Sequence, residues 1–565
     1  MTEPTRPIRQ PRVAPDGSLV AHSVATPTSF TTRALVTVGS DKVIPVIFVP
    51  GIMGTNLKAA SHPAPPGATG LRPGAPIWRA PNGNYDSGLA VYKWTGRSPK
   101  QRQQMLHGPF CEVDPNGELV VPDATRAADA SSNPSSPQAC LSKDEMRARG
   151  WGEVHSGSYA KLLIELESHL NTTFRVEPPN KRRLSNHWKR VVDCERSKWG
   201  VRSLDPLTEA ELEHYAGFQY PVYAVGYNWL ESCSKAATRL QQRIDQIIDF
   251  WVQRKHACTQ VILITHSMGG LVARACARRA PEKIAGIIHG AMPALGAPVA
   301  YRRIACGVEP SSPGSVDGNS VESAAFSLML GRTTKETTAA MATSSGVLEL
   351  LPNHLYPRPW LHLRTVSTVA GKKTWHDWVN LPEGSPYAMY REFGAWHRMI
   401  DPRLADPAAM HRKTGVENKI LEAIDDAEHF HVEELGHYYH PNTYAFYGAD
   451  PARRTFSRIS WIASDKPANG RVALSAASIA AGKAKVRTPD GGRAVDVDGC
   501  LLNFIPDVQD AAGDGTVPEA SGLCTGGALR RLFATRGYSH QASYDPDYIV
   551  LLTQHLVVKI VQGVK

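Results

Sequence analysis

The chain has 565 residues, of which 42% are hydrophobic and 21% are charged, so it can bury a large globular core. Its net charge of +10 is modest for this length, and no long basic block occurs, which argues against a nucleic-acid partner. The charge suits an anionic surface, and an ordinary solvated surface explains it equally well. The nine cysteines are scattered and form no Cys-x-x-Cys pair, so neither a zinc site nor a dense disulfide framework is expected.

Residues 1–40 are rich in proline and charge and are predicted to form a flexible N-terminal segment. They lack the uninterrupted apolar stretch of a secretory signal, so we expect synthesis in the cytoplasm without a signal peptide. The most apolar later stretch begins at Ile284, but His289, two prolines and three glycines interrupt it. It falls short of the ~20 apolar residues that a membrane helix needs.

The first strand and its glycine turn are predicted from "VIPVIFVPGIMG", residues 43–54, and another strand from "YPVYAVGYNW", residues 220–229. A long insertion, residues 58–215, separates the two strands and contains Pro/Gly-rich and polar segments. One amphipathic helix is predicted within the insertion, and its apolar face carries Leu162, Leu163, Leu166 and Leu170.

Strands and helices alternate after residue 229. The stretch "SKAATRLQQRIDQIIDFWVQRK" predicts a core-facing helix, and it is followed by the strand "VILITH", a turn, a second helix and the strand "IAGIIHG". This alternation predicts an α/β fold with a mostly parallel sheet flanked by helices. We assign residues 41–354 and 441–565 to this core, and its last element is an apolar helix in "DYIVLLTQHLVVKIVQ".

Residues 355–440 lack that rhythm and are predicted to form a cap or lid region. The region is rich in aromatic residues, some of which we expect in the core. The others are predicted to be a movable cover for an apolar groove. The residues in question are Tyr356, Trp360, Trp375, Trp378 and Tyr387.

The segment "VILITHSMGGLVAR" places Ser267 between a buried strand and a helix. A tight turn at this point lifts the hydroxyl out of the backbone and above the N-terminus of the helix, which exposes a nucleophile. Gly269 supplies a small residue after the serine, and Thr265 stands where glycine is more frequent. The alternative is that Ser267 only caps the helix, but the arrangement favours a catalytic serine.

A serine needs a base and an acid, and in α/β enzymes of this kind both follow it in the chain. Asp514 in "GDGTVP" is the predicted acid, because the flanking glycines form a tight loop that presents one carboxylate. His540 in "YSHQASY" is the predicted base, since it lies in a loop before the last helix. The rivals are Asp507, Asp510 and His555.

The oxyanion that forms during attack needs backbone N–H donors already in place. Met268, the residue after the nucleophile, is the first predicted donor. The turn "PGIMG" supplies the second, because Gly51 and Gly54 let the backbone turn toward the serine. Met53 is the predicted donor there, with Ile52 as the alternative.

Several motifs occur in the order seen in lecithin:cholesterol acyltransferase-like and PGAP1-like α/β-hydrolases, and the chain resembles that group. They are "VIFVPGIMGTNL", "YAVGYNW", "THSMGGLVAR", "AMPALGAP", "LELLPN", "YAFYG" and "GDGTVP". Within the group, "PIWRAPNG" and "RGWGEVHSGSYAKLLIELESHLN" are similar to bacterial type VI secretion lipase effectors. The resemblance runs from residue 43 to the C-terminus outside the insertions, and Thr265 and His289 depart from the usual pattern.

The resemblance implies an α/β-hydrolase that cleaves lipid carboxyl esters as a phospholipase and acts as a secreted antibacterial effector. Its partners would then be membrane phospholipid as substrate, an immunity protein and the secretion apparatus, and its place of action the periplasm or membrane of a target cell. The alternatives are an acyltransferase or triacylglycerol lipase of the same fold, or a catalytically silent binding protein.

Two other patterns contain residues that could bind a metal ion. "HFHVEELGHYYH" holds His429, His431, His437 and His440 but lacks the His-Glu-x-x-His spacing, so a polar cap surface is the preferred interpretation. The aspartates of "DVDG" and those near Asp514 lack the alternating spacing of a calcium loop. No cofactor or metal is therefore expected, and calcium is the alternative.

Overall fold

The computed structural model describes residues 40–61, 72–80, 91–121, 141–177, 181–201, 204–309, 328–465, 473–488, 491–523 and 529–565, and two short strands near the N-terminus. The predicted flexible segment 1–40 and parts of the insertion lie mostly outside these residues.

The strands of the described part are, in chain order, β1 (Arg12–Val13), β2 (Leu19–Val20), β3 (Val46–Val49), β4 (Leu57–Ala59), β5 (Pro76–Trp78), β6 (Cys111–Val113), β7 (Phe174–Glu177), β8 (Lys181–Leu184), β9 (Val222–Ala224), β10 (Val261–His266), β11 (Ile284–Gly290), β12 (Leu361–Val369), β13 (Lys372–Leu381), β14 (Thr443–Gly448), β15 (Asp450–Thr455), β16 (Ile459–Ser464), β17 (Lys483–Arg487), β18 (Arg493–Val497), β19 (Cys500–Pro506), β20 (Ala511–Gly513) and β21 (Arg531–Thr535).

The α-helices of the same part are α1 (Pro99–Met105), α2 (Lys143–Ala148), α3 (Ser156–His169), α4 (Asn186–Asp193), α5 (Glu209–Tyr215), α6 (Cys233–Gln253), α7 (Gly269–Arg279), α8 (Pro298–Cys306), α9 (Thr334–Met341), α10 (Ser345–Leu348), α11 (Pro386–Tyr390), α12 (Pro402–Ala405), α13 (Val416–His429), α14 (Ala476–Ala480), α15 (Glu519–Gly522) and α16 (Asp547–Val561). No helix in the described ranges is both long and apolar enough to cross a membrane.

A six-stranded sheet in the order β21-β14-β11-β10-β3-β9 forms the centre of the molecule. All its neighbouring strands are parallel, and Leu263 of β10 pairs with Ile47 on one side and Ile287 on the other. Every residue of β3, β10 and β11 is buried, which explains why these strands are apolar without alternation. The predicted α/β-hydrolase fold is confirmed.

Helices cover both faces of this sheet. On one face α6 and α7 pack together. Their buried residues share one core with Ile47, Leu263 and Ile287 of the central sheet. On the other face lie α3 and the C-terminal helix α16. The apolar stripe predicted for α3 is buried, since Leu162, Leu163, Leu166 and Leu170 are each at most 1% exposed.

A second six-stranded sheet has the order β13-β12-β16-β19-β18-β17 and is mostly antiparallel. Residues 355–440, the predicted cap, contribute only the hairpin β12–β13 to it. The other four strands come from residues 459–506, which the sequence had placed in the hydrolase core. Strands from both regions thus complete one sheet, an arrangement that follows from tertiary pairing and has no signature in the local pattern.

The aromatic residues of the predicted cover have two different environments. Tyr356, Trp360 and Tyr387 are at most 3% exposed and belong to the core. Trp375 is 43% exposed on the edge strand β13. Trp378 is partly buried and its indole N–H donates to the hydroxyl of Thr365 at 2.8 Å. Three of the five are therefore structural residues.

Candidate active site

The turn between β10 and α7 holds Ser267 in a strained conformation. Its φ is +51°, a left-handed value that is uncommon for a residue other than glycine. The turn is closely packed, because a Cβ on Gly269 would lie 2.4 Å from the carbonyl oxygen of Pro50. The N–H of Ser267 donates to the carbonyl of Gly290 at the end of β11 at 2.9 Å. The serine is thus fixed at the carboxyl edge of the sheet.

The structure brings Ser267, His540 and Asp514 together. Nε2 of His540 lies 2.8 Å from the hydroxyl oxygen of Ser267, and Nδ1 lies 2.8 Å from Oδ2 of Asp514. The side chain of Asp514 is 1% exposed and that of His540 is 13% exposed. A serine hydroxyl, an imidazole and a buried carboxylate are therefore in hydrogen-bond contact, an arrangement that can support nucleophilic catalysis.

Asp514 follows β20 in a tight turn. Its Oδ1 accepts the N–H groups of Thr516 at 3.0 Å and Val517 at 2.7 Å, which leaves Oδ2 to face His540. The N–H of His540 donates to the main-chain carbonyl of Asp514 at 2.7 Å, so the two residues are linked twice. These bonds fix the orientation of the imidazole.

The rival residues lie elsewhere. Asp510 accepts hydrogen bonds from the N–H and hydroxyl of Ser457 and from Arg458. Asp507 accepts the N–H of its neighbour Val508. His555, within α16, is 2% exposed and packs edge-on against Trp199. None of these side chains is the partner of Ser267 or His540 in the described residues.

The predicted oxyanion donors flank the serine. Met268 stands at the N-terminal end of α7, and Met53 has a φ of +63° in the turn after β3. Neither N–H group has an acceptor among the described residues. The carbonyl of Met53 accepts the indole N–H of Trp78 at 2.8 Å, which fixes that peptide. Both N–H groups are free to bind an anionic oxygen, and their role stays a prediction.

Two residues near the site were not singled out by the sequence. His266, next to Ser267, is 1% exposed, and Tyr159 in α3 is also 1% exposed. The hydroxyl of Tyr159 lies 2.9 Å from Nδ1 of His266. Burial and the neighbouring His540 lower the pKa of His266 to about 3, so its ring is neutral. The histidine beside the nucleophile was visible in the sequence, but nothing links it there to a residue 107 positions earlier.

The histidines that could serve as metal ligands have defined surroundings. His431 is buried between the hydroxyl of Tyr387 and the carbonyl of Glu349, and His440 is buried as well, so the predicted polar cap surface is wrong for these two residues. Glu165, His169 and His187 lie close enough to offer three ligand atoms. However, the imidazole rings of His169 and His187 are stacked, with 3.6 Å between their centroids and 5° between their planes. The nitrogen lone pairs therefore lie in parallel planes and do not point at one ion.

Comparisons with known proteins agree with this fold. The PGAP1-like alpha/beta domain family matches residues 225–307, a range that contains Ser267. No curated protein sequence matches the chain. Among solved structures, a chain of the Tle4–Tli4 complex is 27% identical with a TM-score of 0.71, and the alignment covers 92% of this chain and 99% of that one.

Phospholipase PlaB from Legionella pneumophila also aligns, with 11% identity over 50% of this chain and 71% of that chain. Its TM-score of 0.14 is too low to indicate a shared fold. The predicted resemblance to PGAP1-like α/β-hydrolases and to type VI lipase effectors is confirmed by the family match and by the Tle4–Tli4 structure.

Proposed function

We propose that this chain, an α/β-hydrolase by fold that resembles PGAP1-like enzymes and type VI lipase effectors, is a serine hydrolase that cleaves carboxyl esters of membrane lipids. The observation that carries the proposal is the hydrogen-bonded set of Ser267, His540 and Asp514. A role as a helix cap explains neither the left-handed backbone of Ser267 nor its contact with a histidine–aspartate pair, whereas a role as nucleophile explains both.

In this proposal, Ser267 attacks the ester carbonyl while Nε2 of His540 accepts its proton. The carboxylate of Asp514 stabilises the resulting imidazolium, and the N–H groups of Met53 and Met268 bind the oxyanion. His540 then returns the proton to the leaving alcohol, and an acyl ester on Ser267 remains. Water, deprotonated by the same histidine, attacks that ester and releases the fatty acid.

The finer assignment is a phospholipase of the A type that acts as a secreted antibacterial effector. It is supported by the likeness to the Tle4–Tli4 structure over nearly the whole chain and by the net positive charge, which favours anionic membranes. Because the similar chain is one component of a two-protein complex, we propose a dedicated protein partner for this chain as well, namely the immunity protein expected from the sequence.

Mass spectrometry of the products from mixed-headgroup phospholipid vesicles tests the substrate. The expected result is release of free fatty acid and lysophospholipid by the wild type and no release by Ser267→Ala. A parallel reaction with an added long-chain alcohol separates hydrolysis from acyl transfer, since an acyltransferase would form the alcohol ester in place of fatty acid. If the phospholipid stays intact while a soluble ester is hydrolysed, the chain is an esterase and the phospholipase assignment is wrong.

A further inference from the structure

A chain of hydrogen bonds runs beneath the catalytic serine and joins the two parts of the site that must act together. The N–H of Gly51, in the turn that carries Met53, donates to the hydroxyl oxygen of Tyr159 at 3.1 Å. That hydroxyl meets Nδ1 of His266 at 2.9 Å, and Nε2 of His266 meets the main-chain carbonyl of His540 at 2.9 Å. We name Gly51, Tyr159, His266 and His540 the positioning chain.

The proton positions in the positioning chain follow from its end groups. A carbonyl oxygen only accepts, so Nε2 of His266 carries the proton that it shares with His540. Because the buried ring is neutral, Nδ1 is an acceptor, and the hydroxyl of Tyr159 donates to it. The hydroxyl oxygen is then free to accept the N–H of Gly51. Each hydrogen bond of the positioning chain then has one donor and one acceptor, and only this arrangement of protons satisfies all of them.

Tyr159 comes from α3, within the insertion, and α3 contacts both ends of the positioning chain. The N–H of His155, just before α3, donates to the carbonyl of Gly54 at 2.9 Å. The side chain of Gln541, next to His540, donates to the hydroxyl of Ser158 at 2.5 Å. The first turns of α3 therefore bridge the turn at residues 51–54 and the loop that holds His540.

The residues of this bridge are closely packed, so none of them can move without displacing a neighbour. A Cβ on Gly51 would lie 2.8 Å from Nδ1 of His266, and a Cβ on Gly54 would lie 2.6 Å from the hydroxyl of Tyr159. The ring of Tyr159 also packs 4.7 Å from that of Phe48 in β3. A displaced Tyr159 would consequently release the N–H of Gly51 and leave Nδ1 of His266 without its donor.

We propose that Tyr159 and His266 are positioning residues that hold the oxyanion turn and the His540 loop at a fixed separation around Ser267, so that the insertion completes the active site. This inference rests on the proposed serine-hydrolase function. Neither residue touches substrate; each acts through backbone groups of its neighbours. Loss of the link should lower the rate of attack and leave ground-state binding largely unchanged, because misplacement by ~1 Å costs about 100-fold in rate.

The test compares Tyr159→Phe with Tyr544→Phe. Tyr544 is a matched control, because it is also buried beside Phe48 but its hydroxyl donates to the carbonyl of Thr265, outside the positioning chain. The readouts are the rate of fluorophosphonate labelling of Ser267, kcat and KM on a soluble p-nitrophenyl ester, and Tm. Tyr159→Phe should lower the labelling rate and kcat about 10- to 100-fold with KM nearly unchanged. Tyr544→Phe should lower Tm similarly and leave both rates near wild type.

A second pair of variants, at His266, tests the inference even if Tyr159→Phe does not fold. The glutamine side chain has an amide NH2 that donates and an amide oxygen that accepts, whereas methionine, of similar length, has no N–H or O–H donor and only a weakly accepting sulfur. His266→Gln should therefore retain most of the labelling rate, and His266→Met should lose it to the same extent as Tyr159→Phe. Rescue by glutamine is not expected if His266 only fills space.

The outcomes distinguish this inference from the proposed function. If the wild type labels at Ser267 and folded Tyr159→Phe or His266→Met labels equally fast, the positioning role is wrong while the hydrolase stands. If kcat falls to the same extent in Tyr544→Phe, general loss of packing explains the effect and the inference is again wrong. If the folded wild type does not label at all, the hydrolase proposal fails and the positioning role fails with it.

Discussion

Ser267 and His540 are the residues on which the proposed chemistry depends most. Ser267→Ala and His540→Ala are each expected to lower kcat for ester hydrolysis by about four to six orders of magnitude, because the nucleophile or its base is removed. Tm should change little in Ser267→Ala, since only one hydroxyl is lost. Steady-state kinetics with circular dichroism checks both statements, and residual activity above a tenth of wild type would contradict them.

The carboxylate assignment has its own test. Asp514→Asn is expected to lower kcat by as much as about 10⁴-fold, since the amide no longer stabilises the imidazolium. Asp507→Asn and Asp510→Asn are the matched controls and should stay close to wild type in kcat. Full activity of Asp514→Asn together with loss in either control would move the acid to that residue.

Gly51 is a position where any side chain should be harmful. A Cβ there would lie 2.9 Å from the Cβ of Ser267 and 2.8 Å from Nδ1 of His266, and neither buried neighbour has room to move. Gly51→Ala is therefore expected to lower kcat about 100-fold. Gly384→Ala, just after β13, tests the glycine effect alone, because a Cβ there meets nothing among the described residues and its backbone is not left-handed, and it should leave kcat unchanged. Equal rates for the two variants would show that the turn at Gly51 tolerates a shift.

At the scale of elements, the central strands and the turn that holds Ser267 could be predicted from the sequence more completely than the other elements. Fully buried parallel strands are continuous apolar runs, and their glycine turns are local signals, so β3, β10 and β11 were predictable. The second sheet was not, because it joins strands that lie far apart in the chain. The contact of Tyr159 with His266 was invisible for the same reason.

Thr265 and His289, the two departures from the family pattern, explain each other in the structure. They are paired across β10 and β11, and the hydroxyl of Thr265 lies 2.9 Å from Nδ1 of His289. Both side chains are fully buried. A polar residue on one strand requires a partner on the next, so the second departure compensates the first.

A buried carboxyl group after α10 makes one element sensitive to alkaline pH. Glu349 is fully buried against the N-terminus of α6, and burial raises its pKa to about 8. The folded chain therefore binds this proton more tightly than the unfolded chain. The stability it contributes is complete below pH 4.5 and is lost as the pH rises through about 8.

Glu349→Gln removes that titration and keeps the shape of the side chain. The variant should have a higher Tm than wild type at pH 9 and a similar or lower Tm at pH 5. Thermal unfolding of both proteins at the two pH values measures the difference, and other titrating groups cancel in it. A Tm difference that is the same at both pH values would contradict the raised pKa.

At the scale of the whole molecule, neutral histidines that are buried or half-buried predict sensitivity to acid. Burial lowers the pKa of seven histidines to about 3 or 4, and they are His107, His187, His266, His289, His397, His431 and His555. Their lowered pKa values stabilise the fold above pH 6.5, and this stability is lost as the pH falls toward 4. Each histidine contributes at most about 1.4 kcal/mol per pH unit. Tm should fall steeply between pH 7 and pH 5, and a flat profile would contradict the burial of these rings.

The proposed place of action is testable in cells. Expression in the bacterial cytoplasm should be weakly toxic, because the proposed substrate leaflet is not reached there. Fusion to a periplasmic signal peptide should cause growth arrest or lysis, and Ser267→Ala should abolish it. Equal toxicity of the wild type and Ser267→Ala in the periplasm would contradict the effector proposal, and a harmless active enzyme would indicate ordinary lipid metabolism instead.

The proposal as a whole depends on Ser267 being an activated nucleophile, and one measurement addresses that directly. Folded protein is treated with a fluorophosphonate probe, digested, and mapped by peptide mass spectrometry. The hydrogen bonds from Ser267 to His540 and from His540 to Asp514 predict a single adduct on Ser267 that disappears in His540→Ala. A folded wild type that carries no adduct on Ser267, or labels equally well without His540, would contradict it.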